Sequence, residues 1–279
     1  MATVQALSQT TEWPQIVLNY LRRIRQVAPL VQCITNLVSM DLVANTLLAA
    51  GASPAMIHCI EEIPDFTPNV RGLYINVGTL SVDWLPSMRA AAKLANSAGI
   101  PWVLDPVAVG ASSFRLKTCL ELVDLRPSVI RGNGSEILSL SKALTVPSMG
   151  VDSSHDSLDA VEAAKLLALK SGSIVAVSGA VDVITDGNRV IGCHNGVVTL
   201  QKITATGCAV TALITAFLAV DKSNPLEAAA SALSIFGIAA EMGMEIAKGP
   251  ASLRLHLIDS LSELQEADVL SRAKLSPLQ

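Results

Sequence analysis

Short apolar runs alternate along the chain with longer stretches in which apolar residues recur every three or four positions. Such alternation predicts a parallel sheet covered on both faces. A strand buried on two sides needs a continuous apolar run, and each crossover helix needs one apolar stripe. The first helix is expected from about Pro14 to Val27, and Pro29 hands the chain to a strand over Leu30 to Ile34. Ser39 or Asn36 is expected to cap a helix running through Ala50, with Gly51 closing it. Further strands are expected at Pro54 to Ile57, Leu73 to Val77, Trp102 to Leu104, Val129 to Arg131 and Ile174 to Val177. Helices near Asp83 to Ala98, Phe114 to Val123, Ser135 to Ser141 and Ser157 to Lys170 separate them.

After Ser178 the pattern changes. Val181 to Thr185, Arg189 to Cys193 and Val197 to Leu200 read as short strands joined at Asp186-Gly187 and Asn195-Gly196, both turn pairs of hairpins. Two long apolar helices, about Thr206 to Ala219 and Leu226 to Ala247, and a last helix near Leu253 to Gln265 complete the pattern. The expectation is one α/β domain over residues 1–279, a three-layer α/β/α sandwich with a mostly parallel sheet and antiparallel edge strands.

Composition narrows the function classes. With 279 residues, 51% of them hydrophobic, the chain has enough apolar side chain for a large core. A net charge of −4, from 20 basic and 24 acidic residues, leaves no basic excess for a nucleic-acid partner. The five cysteines are widely spaced and contain no Cys-x-x-Cys pair, which reads as reduced thiols in a reducing compartment. Residues 207–220 form an apolar run too short for a bilayer, and residues 226–244 carry Glu227 and Glu241. Both read as buried helices, so no membrane partner is expected. The opening residues MATVQALSQT lack the basic start and apolar core of a secretory leader. A cytoplasmic location is the expectation.

Ligands of open parallel sheets bind beyond the carboxyl ends of strands, so the residues there carry the functional information. Those ends hold Asn76-Val77-Gly78-Thr79, Asp105-Pro106, Arg131-Gly132-Asn133-Gly134-Ser135-Glu136 and Ser178-Gly179. Singly each is an ordinary turn. Their recurrence at successive strand ends favours a site. Thr204-Ala205-Thr206-Gly207-Cys208, directly before an apolar helix, has the small residues and free first-turn N–H groups that suit a phosphate. In that first turn the thiol of Cys208 is expected to have its pKa lowered toward neutrality. The same segment reads equally as Thr206 capping a helix with Cys208 as a small buried residue. Asn133 and Glu136 offer oxygen ligands for Mg²⁺, directly or through water, and Asp105 could join them. Arg131 offers a planar guanidinium to phosphates, or else a structural ion pair with Glu136 or Asp105. His58, His155, His194 and His256 show no metal or triad spacing, so a thiol hydrolase built on Cys208 and His194 has little behind it. Neither G-x-x-x-x-G-K-[ST] nor, after the first strand, G-x-G-x-x-G occurs.

Taken in order, these segments resemble the hydroxyethylthiazole kinase family of the ribokinase-like superfamily, over about Pro29 to Leu264. The resemblance is carried by Thr35-Asn36, then Ala44-Asn45-x-Leu47-Leu48-Ala49-x-Gly51-Ala52-Ser53-Pro54-x-Met56, and Asn76-Val77-Gly78-Thr79-Leu80. Leu104-Asp105-Pro106-Val107-x-x-Gly110-Ala111, Ile130-Arg131-Gly132-Asn133-x-x-Glu136-Ile137, Gly179 with Asp182-Val183-x-Thr185-Asp186-Gly187, and Thr206-Gly207-Cys208 extend it. It implies a ribokinase-like subunit without a lid, assembled as a homotrimer with intersubunit active sites. It also implies Mg²⁺-dependent transfer of phosphate from ATP to the hydroxyl of 4-methyl-5-(2-hydroxyethyl)thiazole.

By the same resemblance the thiazole lies near Met56 and Ala205, with Asn36 and Val38 coming from an adjacent chain. Arg131, Ser178, Thr206 and Gly207 fall to ATP, Asn133 and Glu136 to Mg²⁺ and phosphate. Cys208 takes the place of the catalytic base. One departure is Ala205, where many family members carry Gly. Competing readings are another ribokinase-like activity, such as a hydroxymethylpyrimidine kinase or a nucleotide-repair dehydratase, and a silent ligand-binding homologue.

Overall fold

The computed structural model describes residues 12–145 and 157–278. The opening residues and His155 lie outside them. Helix α1 spans Trp13–Val27 and buries Trp13, Val17, Leu21 and Ile24, a stripe at helical spacing. It starts with Pro in its first turn and ends where Ala28 turns left-handed before Pro29. Strand β1 (Leu30–Ile34) leads to α2 (Met40–Ala50), which Gly51 closes at φ 97, a conformation that a side chain would strain.

The chain continues through β2 (Ser53–Ala55), the single turn α3 (Ile63–Phe66), β3 (Gly72–Asn76), α4 (Leu85–Ala98) and β4 (Trp102–Asp105). Next come α5 (Ser113–Asp124), β5 (Val129–Asn133), α6 (Gly134–Thr145), α7 (Ser157–Ser171) and β6 (Ile174–Ser178). Strands β7 (Asp182–Thr185) and β8 (Val190–Cys193) precede α8 (Thr206–Val220), α9 (Pro225–Ile246), α10 (Pro250–Glu263), α11 (Glu266–Arg272) and β9 (Leu275–Pro277).

One nine-stranded sheet runs in the order β2-β1-β3-β4-β5-β6-β7-β8-β9. The β2 to β6 half is parallel, and β7, β8 and β9 add antiparallel strands. Helices α1, α2, α8, α9 and α10 pack one face, and α4 to α7 the other, each over its own apolar core. This is the expected α/β/α sandwich, and among the described residues every strand belongs to the one sheet. By length and apolar composition α9 suffices to cross a membrane, yet 72% of that stretch is buried against the rest of the fold.

Three expectations fail at the chain's second half. Val197 to Leu200 is not a strand: a 3-10 turn occupies Val198–Lys202. The edge of β8 is taken instead by β9, whose Leu275 pairs with Cys193. Asn195-Gly196 therefore makes no hairpin. The Asn195 side chain accepts from the backbone N–H of Lys274 and donates to the carbonyl of Arg272, tying the loop to the C-terminal strand. The last helix is also two, α10 and α11.

Candidate active site

The sheet's parallel half fixes the site because its strands all point their carboxyl ends the same way. Register places Asn76 of β3 beside Asp105 of β4, and Asn133 of β5 beside Ser178 of β6. The start of α8 lies over these ends. Residues Arg131, Asn133, Ser178, Thr206 and Gly207 line one cleft of about 380 Å³, a volume in the usual small-ligand range. Its far wall is apolar, built from Val197, Val198, Leu200, Val210, Leu233 and Phe236. Gly237 lets α9 approach this wall: a Cβ there would sit 2.6 Å from the Asn195 backbone.

At the polar end Arg131 donates to the Ser178 hydroxyl, while its Nε is buried with no partner in the protein. A buried donor without an acceptor costs on the order of 1–3 kcal/mol, so the group calls for one. A Cβ at Gly207 would lie 2.7 Å from Arg131 Nη1, so a side chain there would displace the guanidinium. The ion pair of Arg131 with Glu136 or Asp105, open on sequence grounds, is not among those formed by the described residues. Glu136 Oε2 accepts from the Asn133 amide at 2.8 Å, and Oε1 from the Ala108 amide at 2.8 Å. Asn133 Oδ1 accepts from the Ser135 hydroxyl and the Glu136 amide, so this corner is held by its own turn. Near the cleft, burial raises the carboxyl of Asp182, against the pull of the Gly179 amide and Arg131.

The entry to α8 differs from its sequence reading. Thr206 is not the cap: Ala205 is, at φ 68, and the Thr206 hydroxyl turns back to the carbonyls of Leu200 and Ile203. A non-glycine residue in the left-handed region costs roughly 1–2 kcal/mol. The position therefore explains why glycine would suit it.

Cys208, the next residue, is not part of the cleft lining and contacts a second polar cluster. Asn36 Nδ2 lies 3.3 Å and Asn76 Nδ2 3.4 Å from its sulfur. Asn76 also donates to Asp105 Oδ2 at 2.7 Å, and the Tyr74 hydroxyl donates to the same oxygen at 3.0 Å. Within one chain the Asn36 amide lies against Cys208, because β1 and β3 are adjacent in the sheet. One expectation changes here. The thiol of Cys208 was expected to be lowered by the helix start. Burial first, and then the charge of Asp105, raise it, outweighing the N–H groups of Asn36 and Asn76 and the charge of Arg131.

Asp105 is 1% exposed and turned inward to Tyr74 and Asn76, not toward the Asn133 corner. Burial pushes its carboxyl up to about 6, with Arg131 opposing and Glu136 adding to the rise. Met56, Ala205 and Cys208 are half-buried against the same apolar core. Val38 is 61% exposed beyond Asn36.

Tyr74 and the apolar wall escape a reading by strand-end motif, and the strand-end position of Asn76 does not show its partner. Tyr74 looks like a core strand residue, and valines and Phe236 look like ordinary packing. Only the β3–β4 register brings Asn76 to Asp105.

Known proteins resemble this chain in sequence and in fold. The profile of the hydroxyethylthiazole kinase family matches residues 21–267. A hydroxyethylthiazole kinase of Arabidopsis thaliana is 60% identical over 275 residues, 99% of this chain and 100% of that protein. The structure of a hydroxyethylthiazole kinase protein from Pyrococcus horikoshii OT3 is 39% identical with a TM-score of 0.89, covering 95% of this chain and all of that one. A Bacillus subtilis pyridoxal kinase in complex with ADP is only 18% identical, with a TM-score of 0.59 over 81% of this chain and 98% of that one. That second likeness shows a shared ribokinase-like fold. Sequence similarity along nearly the whole length shows more, and the chain belongs to the hydroxyethylthiazole kinase family.

Proposed function

We propose that the protein transfers the terminal phosphoryl group of ATP to the hydroxyl of 4-methyl-5-(2-hydroxyethyl)thiazole, within thiamin biosynthesis or salvage. The observation that carries the mechanism is the unpartnered Nε of Arg131 beside Gly207, in a cleft with a polar and an apolar end. The apolar wall of Val197, Val198 and Phe236 takes the nucleotide base. Arg131, Ser178 and the N–H groups at Thr206 and Gly207 take the phosphates. Phosphoryl transfer runs through a loose transition state, so positioning and charge neutralisation matter more than a strong base.

The described residues contain no group of three or more His, Cys, Asp or Glu side chains arranged around a metal. Mg²⁺ does not need one, because it keeps waters and binds mainly through phosphates with one or two carboxylates. Glu136, with Asn133 beside it, fits that use, and Asp105, turned inward, is left out. Bound with the nucleotide, Mg²⁺ would neutralise charge on the phosphates. Cys208 lies at the junction with the alcohol side and accepts the hydroxyl proton when it is a thiolate. Since burial keeps the thiol protonated at neutral pH, its contribution is modest and grows with pH.

Met56 and Ala205 border the thiazole. Val38, exposed with Leu37 at the α2 start, supports a pocket completed by another copy in a cytoplasmic homotrimer. The test is ADP release from Mg-ATP with hydroxyethylthiazole, hydroxymethylpyrimidine and ribose as acceptors. Release with the thiazole alcohol is expected; release with the pyrimidine alone would replace the substrate, and release with none would leave a silent binder.

A further inference from the structure

We infer that Asn36 and Asn76 are positioning residues: their paired side-chain amides grip the Cys208 sulfur with N–H groups and hold it as an acceptor toward the alcohol. This rests on Cys208 being the group that meets the hydroxyl. The direction of both amides follows from their other bonds. Asn76 Oδ1 accepts from the Gly78 amide at 2.8 Å and from Asn36 Nδ2 at 2.9 Å. Turned over, that oxygen would face the Asp105 carboxylate, two acceptors with no hydrogen between them. Asn36 Oδ1 accepts from the Val38 amide at 3.1 Å, which leaves its nitrogen for Asn76 and the sulfur. Both hydrogens of Asn36 Nδ2 are thereby used, one on Asn76 Oδ1 and one on Sγ. On Asn76 one hydrogen goes to Asp105, and the other lies between Sγ and the Tyr74 oxygen at 2.8 Å.

Glycine at 78 is a condition of this arrangement. A Cβ there would sit 2.7 to 2.8 Å from the Asn36 amide and push it off the sulfur. The effect on chemistry follows from the donor sense of the contacts. A neutral thiol is a weak acceptor and a thiolate a strong one, so two N–H groups favour the form that takes a proton. The charged and titratable groups around the sulfur are Asp105 and Tyr74 on one side and Arg131 on the other. The Asn76 amide bridges the sulfur and Asp105.

The test measures Cys208 directly. Cys33, Cys119 and Cys193 are buried and Cys59 is exposed, so Cys59→Ser leaves Cys208 as the accessible thiol. In that background the rate of iodoacetamide alkylation is followed against pH for the parent and for Asn36→Ser and Asn76→Ser. The expected result is a midpoint moved up by about one pH unit in both variants. With it, kcat should fall about tenfold and KM for the thiazole alcohol change less than threefold. A wider opening around the sulfur changes the alkylation rate but not its midpoint. Asn36→Ser lies nearer the surface, so it serves if Asn76→Ser fails to fold. Midpoints unmoved in the folded variants would overturn the inference. So would a raised KM at unchanged kcat, which would make Asn36 a substrate contact. Full kcat in Cys208→Ala would instead remove the base role of Cys208, while the alkylation midpoint would still decide whether the amides act on the sulfur.

Discussion

The two sides of the α8 entry are built on opposite principles. On one side Arg131, Ser178 and the first-turn N–H groups face an open cleft with donors to spare, including a buried Nε that bonds nothing. On the other, Asn36, Asn76, Tyr74 and Asp105 are buried and spend their hydrogen bonds on one another and on Cys208. Unfilled donors suit an anionic ligand that arrives and leaves. A closed network suits a group that must stay in place through the reaction. Two residues of one helical turn, Gly207 and Cys208, thus belong to different environments.

Substitutions separate the two sides. The largest loss is expected for Arg131→Ala, about 10³-fold in kcat/KM with a raised KM for ATP, measured by steady-state ADP release. Cys208→Ala should lower kcat about 10²-fold at pH 9, with KM for ATP unchanged. Because the thiol is raised, the parent's kcat should climb from pH 7 to 9 and the variant's should not. A flat parent profile would break the assignment of Cys208 as base.

Gly207→Ala should raise KM for ATP about tenfold, since the new methyl meets the Arg131 guanidinium without touching the Cys208 side. Asp105 gives a stability prediction. Its carboxyl holds its proton more tightly folded, at about 6, than at its ordinary 3.8. The stability it contributes is therefore full below about 4 and lost as pH rises through about 6, up to about 3 kcal/mol. Asp105→Asn keeps a neutral acceptor there, so thermal unfolding should show it gaining on the parent between pH 4 and 7 and level thereafter. The smallest effect is Ala205→Gly, which relieves the left-handed cap and should add about 1 kcal/mol or less.

The parallel half of the fold was legible because its strands are continuous apolar runs ending in Asn, Asp, Arg or Ser. Arg131, Asn133 and Ser178, which line the cleft, stand out at those ends, and Gly207 stands out at the small-residue start of α8. The antiparallel edge was not, because Leu275–Pro277 is too short to show a period and is recruited by tertiary contact. Val197 and Val198 read as strand by their branched side chains and instead line the cleft. The direction of the Cys208 shift was misread for a related reason. A helix start is local and visible in sequence, whereas burial beside Asp105 depends on the packing of β3, β4 and α8.

The claim that the α8 entry divides nucleotide binding from handling of the alcohol is tested most directly by calorimetric titration with a non-hydrolysable ATP analogue and Mg²⁺. Arg131→Ala should weaken binding at least tenfold and Cys208→Ala should leave it within twofold. Equal weakening in both variants, or none in Arg131→Ala, would contradict the division.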